Sequence, residues 1–452
     1  LIIQRPLPYL ADSQPYFETV RPLGHAVFLD SGRPKCPWGR YDIIAAAPVE
    51  RLELNADTPD AFAQLERLYS KYKTDHKEME DLPFQGGIIG HFSYDLGRSI
   101  EKMPTLAEHF SALPDMRVGM YLWAIVTDHK TQTTRLVADA QVDATLLTTL
   151  EALLADTAPN AAKAESDPFT LTRPFSANLS APEYKDKLAQ VNELIHAGDC
   201  YQVNFAQRFD SQFTGDPWHA YKALREVAPT PYSAFIDSDH SPILSLSPEQ
   251  FLEVKMQQVT TKPIKGTRPR SDSPEEDQRL KQALVDSVKD RAENLMIVDL
   301  LRNDLSKVCT HNSVKVPKLF SIESYANVHH KVSTVTGTLS PQHTPISLLA
   351  HCFPGGSITG APKIRAMEII ESLEPHRRTI YCGSIGYISL CGRMDTSITI
   401  RTLLCEDDHI YCWAGGGIVA DSVNEMEYEE TFDKVNNLLN CLHATLPKET
   451  PH

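Results

Sequence analysis

The alternation of apolar and polar positions divides the chain into strands and helices in mixed order. His25–Leu29 is a short apolar run ending in Asp30-Ser31-Gly32, which predicts a strand and a turn. Ala61–Tyr72 carries apolar residues at helical spacing. The glycine-rich apolar stretch from Pro83 to Asp95 suits a strand packed closely against another backbone. Tyr121–Asp128 and Thr134–Ala138, joined by a polar turn around Lys130, predict a β-hairpin. Periodicity is then lost from Ala155 to Asp167, which predicts a linker or long surface loop.

The pattern resumes at Ser180-Ala181-Pro182-Glu183, a capping box opening a helix that Gly198 closes. Gln202–Phe209 alternates as a strand does. Ser233–Asp237, Ile243–Leu246 and Phe251–Val259 continue the strand pattern up to Pro263-Ile264-Lys265-Gly266-Thr267. That stretch predicts a turn: proline fixes the backbone going in, and glycine lets it pass close to a neighbour. Helices follow at Pro274–Asp286 and Val288–Asp304. Phe353–Lys363 is a glycine-rich loop opening a helix that ends near Leu373. Strands are predicted around Gly383–Leu390 and Ser397–Leu404, and Gly415-Gly416-Gly417 precedes a last acidic helix, Asn424–Leu442.

Composition adds limits. The 452 residues are 42% hydrophobic and 23% charged, ample for a large core, and the length suggests about three domains. A net charge of −15 leaves no electrostatic footprint for nucleic acid. Anionic substrates would therefore need local cations or a metal. Nine scattered cysteines without a Cys-x-x-Cys pair point away from a disulfide framework or structural zinc and toward a reducing compartment. No apolar run reaches transmembrane length and no secretion pattern opens the chain, so a cytoplasmic protein without membrane association is expected.

Several positions can carry chemistry. Asp290, Glu293 and Asn294 share one face of their helix, and Glu427, Glu430 and Lys434 share one face of the last. Hard oxygen ligands from two helices are what Mg²⁺ favours, although Glu430 and Lys434 also make an ordinary surface ion pair. Phe353–Lys363 lacks the Gly-Lys-Ser/Thr ending of a nucleotide loop. Both it and Gly415–Gly417 can offer backbone N–H groups to an anion, or serve only tight strand-to-helix packing. Glu249 ends an apolar strand behind Pro248, as a turn residue or a positioned acid. Arg401 interrupts a strand-like run and needs a partner or ligand. His330 and Tyr381 complete the set, one as a structural or catalytic histidine and the other as a phenolic donor.

Taken together, these stretches resemble the chorismate-utilising enzymes. The motifs that carry the resemblance are Ser247-Pro248-Glu249, Pro263–Thr267, Asp290–Asp304, Phe353–Lys363 and Gly415–Ser422 with its following glutamates, in that order. The dense match runs from about Ser180 to Leu442; Phe28–Ser31 and Asp81–Arg98 match more loosely. The family includes anthranilate synthase component I, isochorismate synthase, salicylate synthase and aminodeoxychorismate synthase component I. Lys265 stands where the first three carry alanine, and Gln202 stands where the isochorismate and salicylate branches carry a base lysine. Both substitutions point to the aminodeoxychorismate branch.

The resemblance implies an α+β fold of two facing, mostly antiparallel sheets with outer helices. An N-terminal region, 1–155, and a chorismate-binding catalytic region, 170–445, would interleave as one unit. It implies conversion of chorismate and ammonia to 4-amino-4-deoxychorismate, with Lys265 as nucleophile and Glu249 as general acid and base. Mg²⁺ would be held by Glu293, Glu427 and Glu430 with Asp290 nearby. Arg401, Tyr381, Lys434 and Gly415, Gly416 and Gly417 would hold the enolpyruvyl carboxylate, while Gly266, Thr267 and His330 position the ring.

No cysteine sits in a Gly-x-Cys-x-Gly elbow, so ammonia is expected from a separate glutamine amidotransferase subunit. A tryptophan pocket of the family would fall on Ser31, Trp38, Gly39, Arg40, Tyr41, Pro231, Tyr232 and Ser233; an ordinary core turn fits these residues equally well, and departures from the family motif at Asp30 and Ala228 speak against feedback inhibition. The rival readings are anthranilate synthase component I and a catalytically silent amidotransferase scaffold.

Overall fold

The structure, a computed structural model, describes residues 1–155, 166–238, 240–325 and 328–447. The stretch read as a linker thus falls largely outside the described residues. Two large sheets dominate, one of 13 strands and one of 10 among the described residues, and every ladder within them is antiparallel. In the first, the order through the centre is Val27–Asp30, Tyr232–Ile236, Ile243–Ser247, Thr402–Glu406, His409–Ile418 and Gln202–Thr214. In the second, Ile264–Pro269, Val328–Thr338, Gln258–Thr261, Gln250–Lys255, Met394–Ile398, Ser384–Ser389 and Gly87–Phe92 run side by side. Both sheets draw strands from either side of residues 155–170. The α+β expectation is met.

Their strands read as apolar because both faces are covered. Gly87–Phe92, Trp123–Asp128 and Ser384–Ser389 are buried throughout. Glycine is needed where backbones approach: a Cβ on Gly386 would lie 2.2 Å from the Asp395 carbonyl oxygen. Helices cover the outer faces by their apolar stripes. On Ala181–His196, Tyr184, Leu188, Val191 and Ile195 pack with Phe205, Ile369 and Ile370 into a separate small core. Its capping box forms as the sequence predicts, with the Ser180 N–H donating to Glu183 Oε2 at 2.8 Å. No helix among the described residues is long and apolar enough to cross a membrane.

Four expectations change. Phe251–Val259 is not one strand but two, Gln250–Lys255 and Gln258–Thr261, turned tightly at Met256 and Gln257, both at positive φ. Pro263–Thr267 is not a free turn: Ile264–Pro269 is a strand against Val328–Thr338, with its register shifted between Ile264 and Thr267. The shift accompanies Gly266 at φ +89° and lets Lys265 leave the ladder. Gly415–Gly417 lies inside the His409–Ile418 strand, opposite Asn204–Ala206, rather than in a loop before the last helix.

The fourth change positions the site. Ser397–Leu404 splits into Met394–Ile398 in the second sheet and Thr402–Glu406 in the first, with Arg401 between them at φ +50°. Its partner pair crosses at the same level: Ile243–Ser247 belongs to the first sheet, Gln250–Lys255 to the second, and Glu249 lies between. The Ile398 N–H donates to the Glu249 carbonyl at 3.0 Å and the Leu246 N–H to that of Arg401 at 3.0 Å. Two adjacent crossings therefore brace each other, and each delivers one ionisable side chain to the seam.

Candidate active site

A cavity of about 840 Å³ opens at this seam. It gathers Glu249, Lys265, Gly266, Thr267, His330, Tyr381, Arg401, Gly415, Gly417 and Lys434, with the carboxylates Asp290, Glu293, Glu427 and Glu430. Nearly the whole set singled out from sequence thus meets at one place. Gly416 is the exception: it does not line the wall, although a Cβ there would lie 3.1 Å from Glu427 Oε2.

Glu249 is buried, and Lys265, a half-buried residue, is linked to it through Ser357. Burial pushes the Lys265 ammonium below the ordinary lysine range, against the pull of Glu293 and Glu249. Burial likewise raises the Glu249 carboxyl, offset by a hydrogen bond from Ser357 and by Lys265. Lys265 Nζ donates to the Ser357 carbonyl at 2.8 Å, and Ser357 Oγ donates to Glu249 Oε1 at 2.8 Å. An amine shifted toward its neutral form close to a carboxyl shifted toward its acid form is an arrangement that can serve nucleophilic and acid–base chemistry.

The cations for an anion stand around them. The Arg401 guanidinium makes no side-chain hydrogen bond or ion pair with any described residue, and burial alone lowers its pKa. A guanidinium left so is poised for an anionic ligand. Lys434 Nζ donates to the Gly415 carbonyl at 2.7 Å and pairs with Glu430 at 2.6 Å. Thr267 Oγ1 and His330 Nδ1 are 2.8 Å apart, and burial beside Arg401 holds His330 down to about 4, so it is neutral. The aromatic wall is Tyr381 stacked on Trp413, rings 6.2 Å apart and nearly parallel.

The four carboxylates do not form a ready cage: no group of three or more candidate ligands stands assembled among the described residues. Each is met by a cation instead. Arg268 pairs with Asp290 at 3.2 Å, Lys434 with Glu430, and Lys289 lies 3.3 Å from Glu427 Oε1 and 3.9 Å from Glu293 Oε1. The Lys289 ammonium bridges the two helices as a stand-in cation. Oxygen-only donors around it suit a hard divalent ion such as Mg²⁺.

Sequence reasoning quoted Ser357 within its motif without giving it a role, and did not assign Lys289 or Asn204, which also lines the cavity. Lys289 was legible as the i−4 neighbour of Glu293. Gln202 is fully buried with neither amide atom hydrogen-bonded, and its Nε2 would lie 2.5 Å from a Cβ on Gly417.

A second cavity, about 300 Å³, is lined by Ser31, Trp38, Gly39, Arg40, Tyr41, Pro231, Tyr232 and Ser233. The residues marked out as a tryptophan pocket thus line one cavity. Asp395, raised to about 7 by burial and by Glu253 opposite it, also lines the cavity, as does Arg393, whose guanidinium lies 5.8 Å from the Tyr41 ring.

Comparison with known proteins agrees with this geometry. Residues 25–440 match the chorismate binding enzyme family. The chain is 46% identical over 440 residues to aminodeoxychorismate synthase component 1 of Escherichia coli strain K12, covering 94% of this chain and 95% of that one. It is 38% identical over 393 residues to anthranilate synthase component 1 of Thermus thermophilus, covering 86% and 84%. The crystal structure of anthranilate synthase component I from Streptococcus pneumoniae TIGR4 superposes with a TM-score of 0.79 at 33% identity, over 89% of this chain and 92% of that one. With its cavity, its sheets and its sequence in agreement over nearly their full length, the chain belongs to the chorismate binding enzyme family.

Proposed function

We propose that this chain converts chorismate and ammonia to 4-amino-4-deoxychorismate. The observation that carries the reading is the Lys265 amine linked through Ser357 to the buried Glu249 carboxyl, in a cavity whose Arg401 side chain lacks any partner among the described residues. The 46% identity to a relative named aminodeoxychorismate synthase component 1 supports it, against 38% to an anthranilate synthase.

Arg401, Tyr381 and Lys434 hold the enolpyruvyl carboxylate. Thr267 and neutral His330 fix the ring. Glu293, Glu427 and Glu430, with Asp290 beside them, would hold Mg²⁺, which would supply charge neutralisation for the ring carboxylate. The Lys265 lone pair attacks C2, both ring double bonds shift by one position, the C4–O bond breaks, and Glu249 gives its proton to the departing hydroxyl, which leaves as water. Ammonia then adds at C4, both double bonds shift back, the C2–N bond breaks and Lys265 leaves as a neutral amine. Glu249 recovers its proton from the new C4 ammonium group. The enolpyruvyl group stays on the product.

Ammonia comes from a glutamine amidotransferase subunit, in keeping with the "component 1" in the relative's name. The second cavity takes tryptophan, its amino-acid ends facing Asp395 and Arg393; calorimetric titration with tryptophan tests this. The site of action is the cytoplasm.

The deciding assay is purified protein with chorismate, Mg²⁺ and ammonium, following products and pyruvate. 4-Amino-4-deoxychorismate without pyruvate is the expected result. Pyruvate released with anthranilate would make the chain an anthranilate synthase component, and absence of turnover with or without an amidotransferase would make it a scaffold.

A further inference from the structure

The Phe353–Lys363 stretch reads as an anion loop, and one of its residues touches both reacting groups. Resting on the chemistry proposed above, we infer that Ser357 is a positioning residue that selects Oε2 of Glu249 as the proton-transferring oxygen and aims the Lys265 amine. Its hydroxyl donates to Glu249 Oε1 at 2.8 Å, and its carbonyl accepts from Lys265 Nζ at 2.8 Å. A carboxyl oxygen already accepting a hydrogen bond is the poorer seat for the acid proton. The proton is therefore carried on Oε2, which accepts no hydrogen bond from a side chain among the described residues. The amine, with one N–H committed to a fixed carbonyl, keeps its lone pair in a restricted range of directions.

For this to work the loop must be rigid, and it is held from several sides. Thr359 Oγ1 donates to the Gly355 carbonyl at 3.0 Å. Arg378 Nη1 donates to the Ile358 carbonyl at 3.1 Å. Lys363 Nζ ties the far end to Asp304 Oδ2 at 2.6 Å and to the Cys352 carbonyl at 3.1 Å. The glycines let the loop lie flat against its supports: a Cβ on Gly356 would lie 2.5 Å from Leu300 Cδ2, and one on Gly355 2.8 Å from Ile398 Cδ1. The motif is thus a bracket for one serine.

Other groups act on the same pair. Glu249 faces the Ile264 N–H, Lys265, and Lys434 from the last helix, with the Cys382 thiol nearby. Lys265 faces Glu293, Glu249, Lys434 and Glu430. None of these changes when Ser357 alone is altered, so the hydroxyl can be tested separately.

The test compares wild type, Ser357→Ala and Ser357→Thr, with chorismate, Mg²⁺ and saturating ammonium across pH. In Ser357→Ala, kcat is expected to fall on the order of 10–100-fold, part of the acid–base contribution, with KM little changed. The limb of the pH profile set by Glu249 is expected to move up by about one unit, because a hydrogen bond to its ionised form is gone. Ser357→Thr, which keeps the hydroxyl, restores the limb. An unshifted limb in Ser357→Ala, or an equal loss in both variants, overturns the inference and leaves the serine a loop-holding residue. The Glu249 carboxyl is also titrated by infrared difference spectroscopy against Glu249→Gln, without turnover. A silent wild type overturns the proposed reaction, whereas an unchanged Glu249 titration in Ser357→Ala overturns the role of Ser357 whether or not the enzyme turns over.

Discussion

Lys289 Nζ, on one acidic helix, lies 3.3 Å from Glu427 Oε1 on the other, and 3.9 Å from Glu293 on its own. The carboxylates that would receive a divalent ion thus already share a cation, tethered to the backbone by a flexible stem. Any incoming ion must displace it. Lys289→Met is therefore expected to tighten Mg²⁺ binding by roughly tenfold, about 1.4 kcal/mol, in a calorimetric titration without chorismate. Equal or weaker affinity in the variant would mean that the ammonium does not compete with the ion.

Removing the amine removes the proposed covalent route. Lys265→Ala is expected to lower turnover by on the order of 10²–10⁴-fold, the scale of a lost group in direct contact with reacting atoms. Partial recovery at high ammonium is expected if ammonia can attack directly. Intact-protein mass spectrometry during turnover should detect an adduct in wild type and none in the variant. Unchanged steady-state rates would remove the lysine from the mechanism.

Arg401 should trade affinity against stability. Its side chain has no partner among the described residues, so the folded protein bears the cost of burying it. Arg401→Met is expected to weaken chorismate binding by about 100-fold, from the loss of a charged hydrogen bond worth up to about 3 kcal/mol. The melting temperature should hold or rise. Quenching of Trp413 fluorescence and thermal unfolding measure the two effects; a fall in both would show that the arginine is structural.

Arg378 is the opposite case. It is buried and pairs with Glu374 at 2.6 Å, while also donating to the Asn204 and Ile358 carbonyls at 2.6 and 3.1 Å. Arg378→Met leaves Glu374 buried without its partner and is expected to cost about 3–5 kcal/mol of stability. Denaturant unfolding should resolve a loss of that size.

His91 gives a pH signature in stability. Burial holds it down to about 3, neutral, with Nε2 donating to the Pro114 carbonyl at 3.1 Å. The unfolded chain takes up the proton near the ordinary value of about 6.5. The stabilisation is thus present in full above about 6.5 and is lost as pH falls toward 3, at up to about 1.4 kcal/mol per pH unit. In His91→Gln, which keeps the donor, the slope between those limits should decrease by one proton's worth. An identical slope would mean that His91 is protonated in the folded state.

Local patterns in the sequence carried far. Ala61–Tyr72 and Pro274–Asp286 form as helices with the bounds their periodicity gives, and the capping box at Ser180 closes as written, because these depend on neighbours within a turn. Strand breaks were harder to see. The turn at Met256 and Gln257 uses positive φ without glycine, and the bulge at Gly266 depends on the partner strand for its register. Neither leaves a local mark that separates it from its alternatives.

The chemistry divides in the same way. The residue types, their order and their spacing were enough for the sequence to determine the family, the lysine that distinguishes its branches, and the acidic faces of two helices. Only the tertiary structure decided that Glu249 and Arg401 stand at paired crossings between the two sheets, since what separates a crossing from a continuous strand is pairing with chain far away in sequence. It alone brought Ser357 to both Glu249 and Lys265, residues 108 and 92 positions distant, and set Lys289 between carboxylates of different helices. Burial shifts a pKa and an unpartnered charge attracts a ligand only in three dimensions; neither property exists until the chain has folded.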